Sequence, residues 1–263
     1  MHHSVCASFD PLIDGLVEAR FTRTAFDHGS VSAPLSLAEG YRAQQAHVDA
    51  LLNRLGGVLA GYKLGATNPA TMKALGFDAP YHGPILSAWL HRSPAVLPRS
   101  DFFLCVIEAE VAFRLSRDLT SVNAVEDVVG AIGEVFPALE IADSRLKNWQ
   151  SPGPAAILAD LGNAGALICG APAAGWREID FDTLPVAVTV NGETVASGTG
   201  AAVMDNPLGR LTDFARQRAM SGQPLKAGDI VSTGSCTPLY PAKAGQRIMG
   251  HFGPLGAVEL TLL

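Results

Sequence analysis

The sequence predicts an α+β protein in which a small helical segment, residues 1–56, packs on one β-rich catalytic domain, residues 57–263. Three observations carry this. A well-capped stretch with apolar residues at helical spacing precedes residue 56. After it, apolar runs bounded by Gly, Pro and Asn dominate, most densely in the C-terminal half. No internal repeat, low-complexity tract or long polar linker divides the remainder.

The first element begins at Ser36, which stands at capping-box spacing from Glu39 and precedes Leu37, Tyr41, Val48, Leu51, Leu52 and Leu55. Gly56 and Gly57 end it. GVLAGYKLGA then reads as an apolar strand whose single charge is Lys63, and Asn68 with Pro69 opens a short helix. Pro, Gly and aromatic residues from Asp78 to Pro98 predict irregular loops around a short strand. FFLCVIEAEVAFRLS returns to period-two alternation. A capped helix is expected over NAVEDVVGAIGEV, then the strand VFPALEIAD, a loop or short helix to Asn163, and the strand AGALICG. LPVAVTV and ETVASG flank Asn191-Gly192, the favoured pair for a type I′ hairpin turn. Asn206 and Pro207 open an amphipathic helix with Leu208, Leu211, Phe214 and Ala215 on one side, and Gly222 follows its end. GDIVSTGS, QRIMGHF and AVELTLL close the chain as strands.

Composition removes several classes of function. The 263 residues are 48% hydrophobic and 17% charged, and the formal net charge of −6 comes with basic residues scattered among acids. That argues against a nucleic-acid partner. No run approaches the roughly 18 apolar residues of a bilayer span, and the opening MHHSVCASFDP lacks a basic n-region and an apolar h-region, so a cytoplasmic protein without a membrane partner is expected. Cys6, Cys105, Cys169 and Cys236 are widely spaced, which suits buried free thiols better than zinc or redox motifs. Neither a GxGxxG, a Walker loop nor a GxSxG elbow is present.

Glu108 and Glu110 are two residues apart in a strand, so they share a face, roughly 7 Å apart, while Ile107, Ala109, Val111 and Phe113 line the other. One reading is a solvated face shared with Arg114. The other is a metal site completed by a third acid, and an all-carboxylate set suits Mg²⁺ or Mn²⁺ rather than zinc. Glu140 lies in a strand apolar on both sides, where an ionised carboxylate needs a partner such as Arg145, a backbone cap or a cation. Lys63 poses the same question: it either pairs with one of these glutamates or meets an anionic substrate.

Taken in order over residues 36 to 263, GYKLGATN, IEAEVAF, PALEIADSR, VNGETVASGTGA and PLKAGDIVSTGSCTP together resemble the 2-oxopent-4-enoate hydratases of the fumarylacetoacetate hydrolase superfamily. The resemblance implies a mixed β-roll core and a closed homo-oligomer. It also implies Mg²⁺ or Mn²⁺ held by Glu108, Glu110 and Glu140, and small 2-oxo or 2-hydroxy-2-enoate acids from aromatic catabolism as substrates. A cation chelated by the substrate carboxylate and 2-oxygen would stabilise the enolate, so that a 2-hydroxydienoate ketonises and then accepts water. Lys63 would steady the anion or relay a proton. Ser235 and Thr237 would line the pocket, unless their hydroxyls only bond the loop backbone.

Two departures bear on the water. Where such hydratases carry an Ala-Asp-Asn run this chain has Ala159, Asp160 and Leu161, and where they carry an acid it has Tyr81, His82 and Gly83. Asp160 is expected at the substrate, and His82 and Asp78 are the candidates to activate water. Within the same fold, 4-oxalocrotonate-type decarboxylases and carbon–carbon hydrolases are the alternatives, and a non-catalytic subunit is a further one.

Overall fold

Period-two segments form two mixed sheets in the computed structural model, which describes residues 9–30, 36–151 and 153–263. The helices are α1 (Asp10–Thr22), α2 (Leu37–Leu55), α3 (Pro69–Leu75), α4 (Val125–Val129), α5 (Pro154–Ala159) and α6 (Asn206–Met220). The strands of the first half are β1 (Leu59–Gly65), β2 (Tyr81–Leu86), β3 (Leu90–Arg92), β4 (Ala95–Leu97), β5 (Val106–Leu115), β6 (Ile132–Ala142) and β7 (Ala164–Cys169). Those of the second half are β8 (Pro185–Val190), β9 (Glu193–Thr199), β10 (Ile230–Ser235), β11 (Tyr240–Pro241), β12 (Gln246–His251) and β13 (Ala257–Leu262).

The larger sheet runs β2-β1-β10-β5-β6-β7-β3, with β11 alongside β5, and the smaller runs β4-β13-β12-β8-β9. Most neighbours are antiparallel; β1 with β10, β3 with β7 and β4 with β13 are parallel. One face of the larger sheet is apolar because alternate residues of its central strands are. Ile107, Ala109, Val111 and Phe113 of β5, with Leu139 and Ile141 of β6, are buried in one cluster with Val186, Val188, Ile248 and Leu260 of the smaller sheet. Each of these Val, Leu, Ile and Phe side chains contributes about 1.5–3 kcal/mol of transfer free energy. The other face of β5 carries Glu108 and Glu110, and everything functional follows from that side.

Several local expectations hold for the reasons given. Ser36 and Glu39 form the capping box of α2, and Asn68 Oδ1 accepts from Thr71 N ahead of α3. Asn191 and Gly192 take φ values of 51° and 91° between β8 and β9, the left-handed pair that a type I′ turn needs. Others are corrected. The helix expected to run through Gly133 stops at Val129, because Ile132 already pairs with Leu115 and sheet pairing overrides a weak helical stretch. Residues 78–98 hold three strands, β2, β3 and β4, rather than one.

Helix α1 was not expected, since its N-cap is Phe9, which makes no side-chain cap bond. It is held by packing: Leu12, Leu16 and Val17 are buried with Ala43, Val48 and Leu51 of α2, and with Leu86, Leu146 and Leu161. Cys105, Cys169 and Cys236 are buried free thiols, while Cys6 lies outside the described residues.

Asp160 belongs to this framework. Its carboxylate accepts from Arg145 Nε at 2.6 Å, Arg145 N at 2.8 Å and Ser144 Oγ at 2.8 Å, and both charged side chains are essentially inaccessible. Arg145 also donates to the carbonyls of Ala164 and Asp160. Removing one member of such a pair leaves an uncompensated buried charge. Asp160→Ala is therefore expected to cost about 3–5 kcal/mol, read as a lower urea midpoint, and Arg145→Met in the same chain should recover much of the loss.

Candidate metal centre

The register of β5 and β6 sets Glu108 directly opposite Glu140, and Glu110 opposite Ala138. Opposed residues share a face, so all three carboxylates project together. One oxygen of each lies within 4.8 Å of the others. Glu110 and Glu140 are buried and Glu108 is half-buried. The irregular pairing of β10 with β5 between Ser232 and Ser235 supplies donors to only one of these oxygens. Glu110 Oε2 accepts from Ser232 Oγ at 2.6 Å and from Gly234 N at 3.0 Å. Gly234 has φ 105°, and a Cβ there would lie 2.0 Å from Thr67 Oγ1, so only glycine allows this approach.

Three of the remaining oxygens are buried without a hydrogen bond. Glu110 Oε1 and both oxygens of Glu140 accept no hydrogen bond. Lys63 Nζ stands 3.0 Å from Glu140 Oε1 as an ion pair without hydrogen-bond alignment. Burial pushes the Glu140 carboxyl up to about 7 against the pull of Lys63. Burial, with Glu140 and Glu108 beside it, lifts Glu110 well above the carboxylate range. Burial draws the Lys63 ammonium down, but Glu140, with Tyr81, Glu108 and Glu110, outweighs it and leaves the group firmly protonated. Three crowded acids against one lysine, with donor-less buried oxygens, form a set that a divalent cation would stabilise. Hard oxygen ligands fit Mg²⁺, Mn²⁺ or Ca²⁺. The partner of Glu140 is thus Lys63 rather than Arg145.

A cavity of about 480 Å³ opens onto this cluster, with Lys63, Glu108, Ser235 and Thr237 in its lining. Ser235 Oγ donates to Thr237 O at 3.0 Å and Thr237 Oγ1 to Pro238 O at 3.2 Å, so both hydroxyls also brace their own loop. Tyr81 and Asn163 line the same cavity and were missed in the sequence. The Tyr81 ring lies 5.5 Å from Lys63 Nζ, and burial pushes its phenol up to about 12. Asn163 ends a run of three left-handed residues, Leu161 (φ 57°), Gly162 (φ 61°) and Asn163 (φ 60°). Its Oδ1 is buried and has no hydrogen-bond partner. Tyr81 shares the face of Lys63 through the pairing of β1 with β2, which the sequence alone did not reveal, and for Asn163 there was no signal.

The other expected residues do not reach the acids. His82 pairs with Leu64, so it faces away from Lys63, whose partner is Gly83. Its ring stacks on Tyr41 at 4.6 Å and lies against Tyr62 and Phe214, in a separate cavity of about 690 Å³ between α2 and α6. Burial, with Arg218 nearby, lowers His82 to about 4, so the ring is neutral near pH 7. Asp78 is exposed in the bend after α3 and lines neither cavity. Asp160 holds Arg145, as described above.

Comparison with known proteins follows the same lines. The family model described as fumarylacetoacetate (FAA) hydrolase C-terminal matches residues 43–263. A 2-keto-4-pentenoate hydratase of Paraburkholderia phymatum is 32% identical over 222 residues, 84% of each chain. A 4-oxalocrotonate decarboxylase of Pseudomonas putida is 30% identical over 205 residues, 78% of this chain and 77% of that one. The crystal structure of such a decarboxylase from the same species, complexed with magnesium and adipate, superposes with a TM-score of 0.86 at 27% identity, covering 96% of both chains.

The cluster makes a direct prediction. Glu110→Gln removes an acid whose ionisation this site penalises, so the metal-free variant should melt higher than the metal-free wild type, by a margin that grows as pH rises toward the raised Glu110 titration. Its affinity for Mg²⁺ or Mn²⁺ should fall by more than the roughly 10- to 100-fold typical of losing an outer partner of a metal ligand. Calorimetric titration and thermal unfolding after chelation measure both, and unchanged affinity would place Glu110 outside the site.

Proposed function

The chain belongs to the fumarylacetoacetate hydrolase family, and from that premise we propose that it is a divalent-metal-dependent hydro-lyase that adds water to 2-hydroxypenta-2,4-dienoate-like acids. One observation carries the reading. Three carboxylates, two of them buried with oxygens that accept no hydrogen bond, converge beside a buried lysine at a cavity large enough for a small acid. Relatives named 2-keto-4-pentenoate hydratase favour hydration over decarboxylation.

Glu108, Glu110 and Glu140 would hold Mg²⁺ or Mn²⁺. When bound, the ion supplies Lewis-acid polarisation of a 2-oxo group and neutralises the charge that develops there. Lys63 does the rest on this side. Kept protonated by Glu140, it presents a fixed cation to the anionic substrate and to the enolate oxygen, in a site dry enough for that charge to count. Tyr81, on the same face, has a phenol that stays protonated near neutral pH, so it can donate to an anion or a water but not accept a proton from one. The Asn163 amide, with its unpartnered oxygen, is a polar group available to orient a water or the nascent hydroxyl. Ser235 and Thr237 offer hydroxyl oxygens along the cavity wall. Asp160 and Asp78 have no part in this scheme, and neither has His82.

The same reading makes the protein a cytoplasmic homo-oligomer without nucleic-acid or membrane partners, in keeping with its net charge of −6. Among the described residues no helix is long and apolar enough to cross a membrane.

Activity tests the assignment. With 2-hydroxypenta-2,4-dienoate, loss of the enol followed by ultraviolet absorbance and formation of the 4-hydroxy-2-oxo acid followed by chromatography should both cease in excess chelator. Mg²⁺ or Mn²⁺ should restore them; full turnover by metal-free protein would overturn the reading. Lys63→Met should lower kcat by about 10²-fold or more, the scale of losing a positioned charge or proton donor. His82→Ala, by contrast, should change both steps by far less than that about 10²-fold loss, and a selective loss of hydration would bring the histidine back into the mechanism.

A further inference from the structure

We propose that the second cavity, between α2 and α6, is a binding site for a small planar aromatic acid with a single carboxylate, separate from the metal centre. Three parts of the fold build its wall, which encloses about 690 Å³. Helix α6 supplies Arg210, Phe214 and Arg218, spaced four residues apart and so on one helical face; α2 supplies Tyr41 and Gln44; β1 and β2 supply Tyr62 and His82. None of Lys63, Glu108, Glu110 and Glu140 lines it.

The charge of the wall is one-sided. Arg42, Arg210 and Arg218 line the cavity, and among the described residues no aspartate or glutamate does. Two of these arginines are already matched: Arg42 stands 3.7 Å from Glu39, and Arg210 is 3.9 Å from Asp205 and bonded to Asp213. Arg218 is not. Its Nη1 donates to Gln223 Oε1 at 2.8 Å and its Nη2 to Tyr62 Oη at 3.0 Å, both neutral acceptors. Asp229 feels its charge but makes no ion pair with it and lies outside the wall. Each Nη carries two hydrogens, so two donors remain on the guanidinium, and Nε is buried without an acceptor. A half-buried guanidinium held by neutral groups is best completed by a carboxylate, and one unmatched cation balances one negative charge rather than the two of a phosphate.

The rest of the wall selects a flat ring. His82 stacks on Tyr41 with centroids 4.6 Å apart, Phe214 lies 5.2 Å from His82 and 5.5 Å from Tyr62, and the Arg218 guanidinium lies 4.8 Å over the Tyr62 ring. Backbone contacts pin these rings: His82 N donates to Tyr41 Oη at 3.3 Å, and Gln44 Nε2 donates to the His82 carbonyl at 3.2 Å. Walls already held in place cost little ordering when a guest enters. Aromatic faces and edges favour an aromatic guest over an alkyl one of equal area, and Arg218 fixes the end at which its carboxylate sits.

The probe is 2-naphthoate, titrated by calorimetry into metal-loaded full chain with excess 2-oxopentanoate occupying the metal centre. It should bind, and uncharged 2-naphthamide should bind at least about 10-fold more weakly. Arg218→Gln should weaken 2-naphthoate by a similar factor, and His82→Ala, which removes a ring of the wall, by about 3-fold or more. Thermal unfolding reports that each variant is folded; should Arg218→Gln not fold, His82→Ala and 2-naphthamide decide. Absence of binding at about 1 mM, displacement by 2-oxopentanoate, or affinity unchanged in Arg218→Gln overturns the inference. So does tighter binding of 2-naphthyl phosphate than of 2-naphthoate. None of these outcomes touches the hydro-lyase reading, which turnover tests.

Discussion

The structure is organised around an electrostatic conflict. Three carboxylates have oxygens within 4.8 Å of each other, two of the three are buried, and one lysine faces them. Like charges so close in a poorly solvated site repel strongly, and local hydrogen bonding relieves only Glu110 Oε2. Such an arrangement survives only where its surroundings over-determine it. Here they do so through the ladder between β5 and β6, continuous from Val106 to Arg114, and through the apolar cluster that fixes the opposite face of the same strands. The irregular step of β10 at Gly234 belongs to the same device, since it turns a backbone N–H onto Glu110. Stability given up at the acids is what makes the site a receptor for a cation.

Strand parity then decides which side chains join the acids. On β1, Lys63 faces the cluster while Tyr62 and Leu64 face α6 and α2; on β2, Tyr81 goes with Lys63 and His82 with Leu64. Two cavities therefore share one pair of strands, with Lys63 lining one, Tyr62 and His82 the other, and Leu64 and Tyr81 between them. Gly83, the partner of Lys63, cannot carry a side chain because a Cβ would lie 2.3 Å from the Leu161 carbonyl. The loop that holds Asn163 packs into that space.

The same parity explains what could be read in the sequence. Glu108 and Glu110 announce themselves by alternation against Ile107 and Ala109, and Glu140 by being a lone charge in an apolar strand, so their convergence needed only the correct register. Hairpin and capping residues were equally legible because their signals are local. His82 was singled out because it stands where the hydratase pattern carries an acid, in a segment read as loop, and without the pairing of β2 to β1 there was no parity to show that it faces away from Lys63. Helix α1 carries no capping residue, and its existence depends on α2, which propensity does not register.

Asp160 and Asn163 show how a buried ion pair can set a polar group on the cavity. The hydratase pattern sets an asparagine directly after the aspartate, and in this chain that place is Leu161, which is buried in the helical cluster. Leu161, Gly162 and Asn163 are consecutively left-handed, at a cost of about 1–2 kcal/mol for a non-glycine residue. The turn ends by setting Asn163, two residues later, on the cavity with its oxygen unpartnered. Asp160 meanwhile is free to hold Arg145, whose guanidinium ties the end of β6 to the start of β7 through the Ala164 carbonyl. The aspartate that resemblance alone would assign to substrate instead fixes the loop that presents the asparagine. Asn163, two residues after the place where the hydratase pattern carries an asparagine, is the amide that this loop turns onto the cavity.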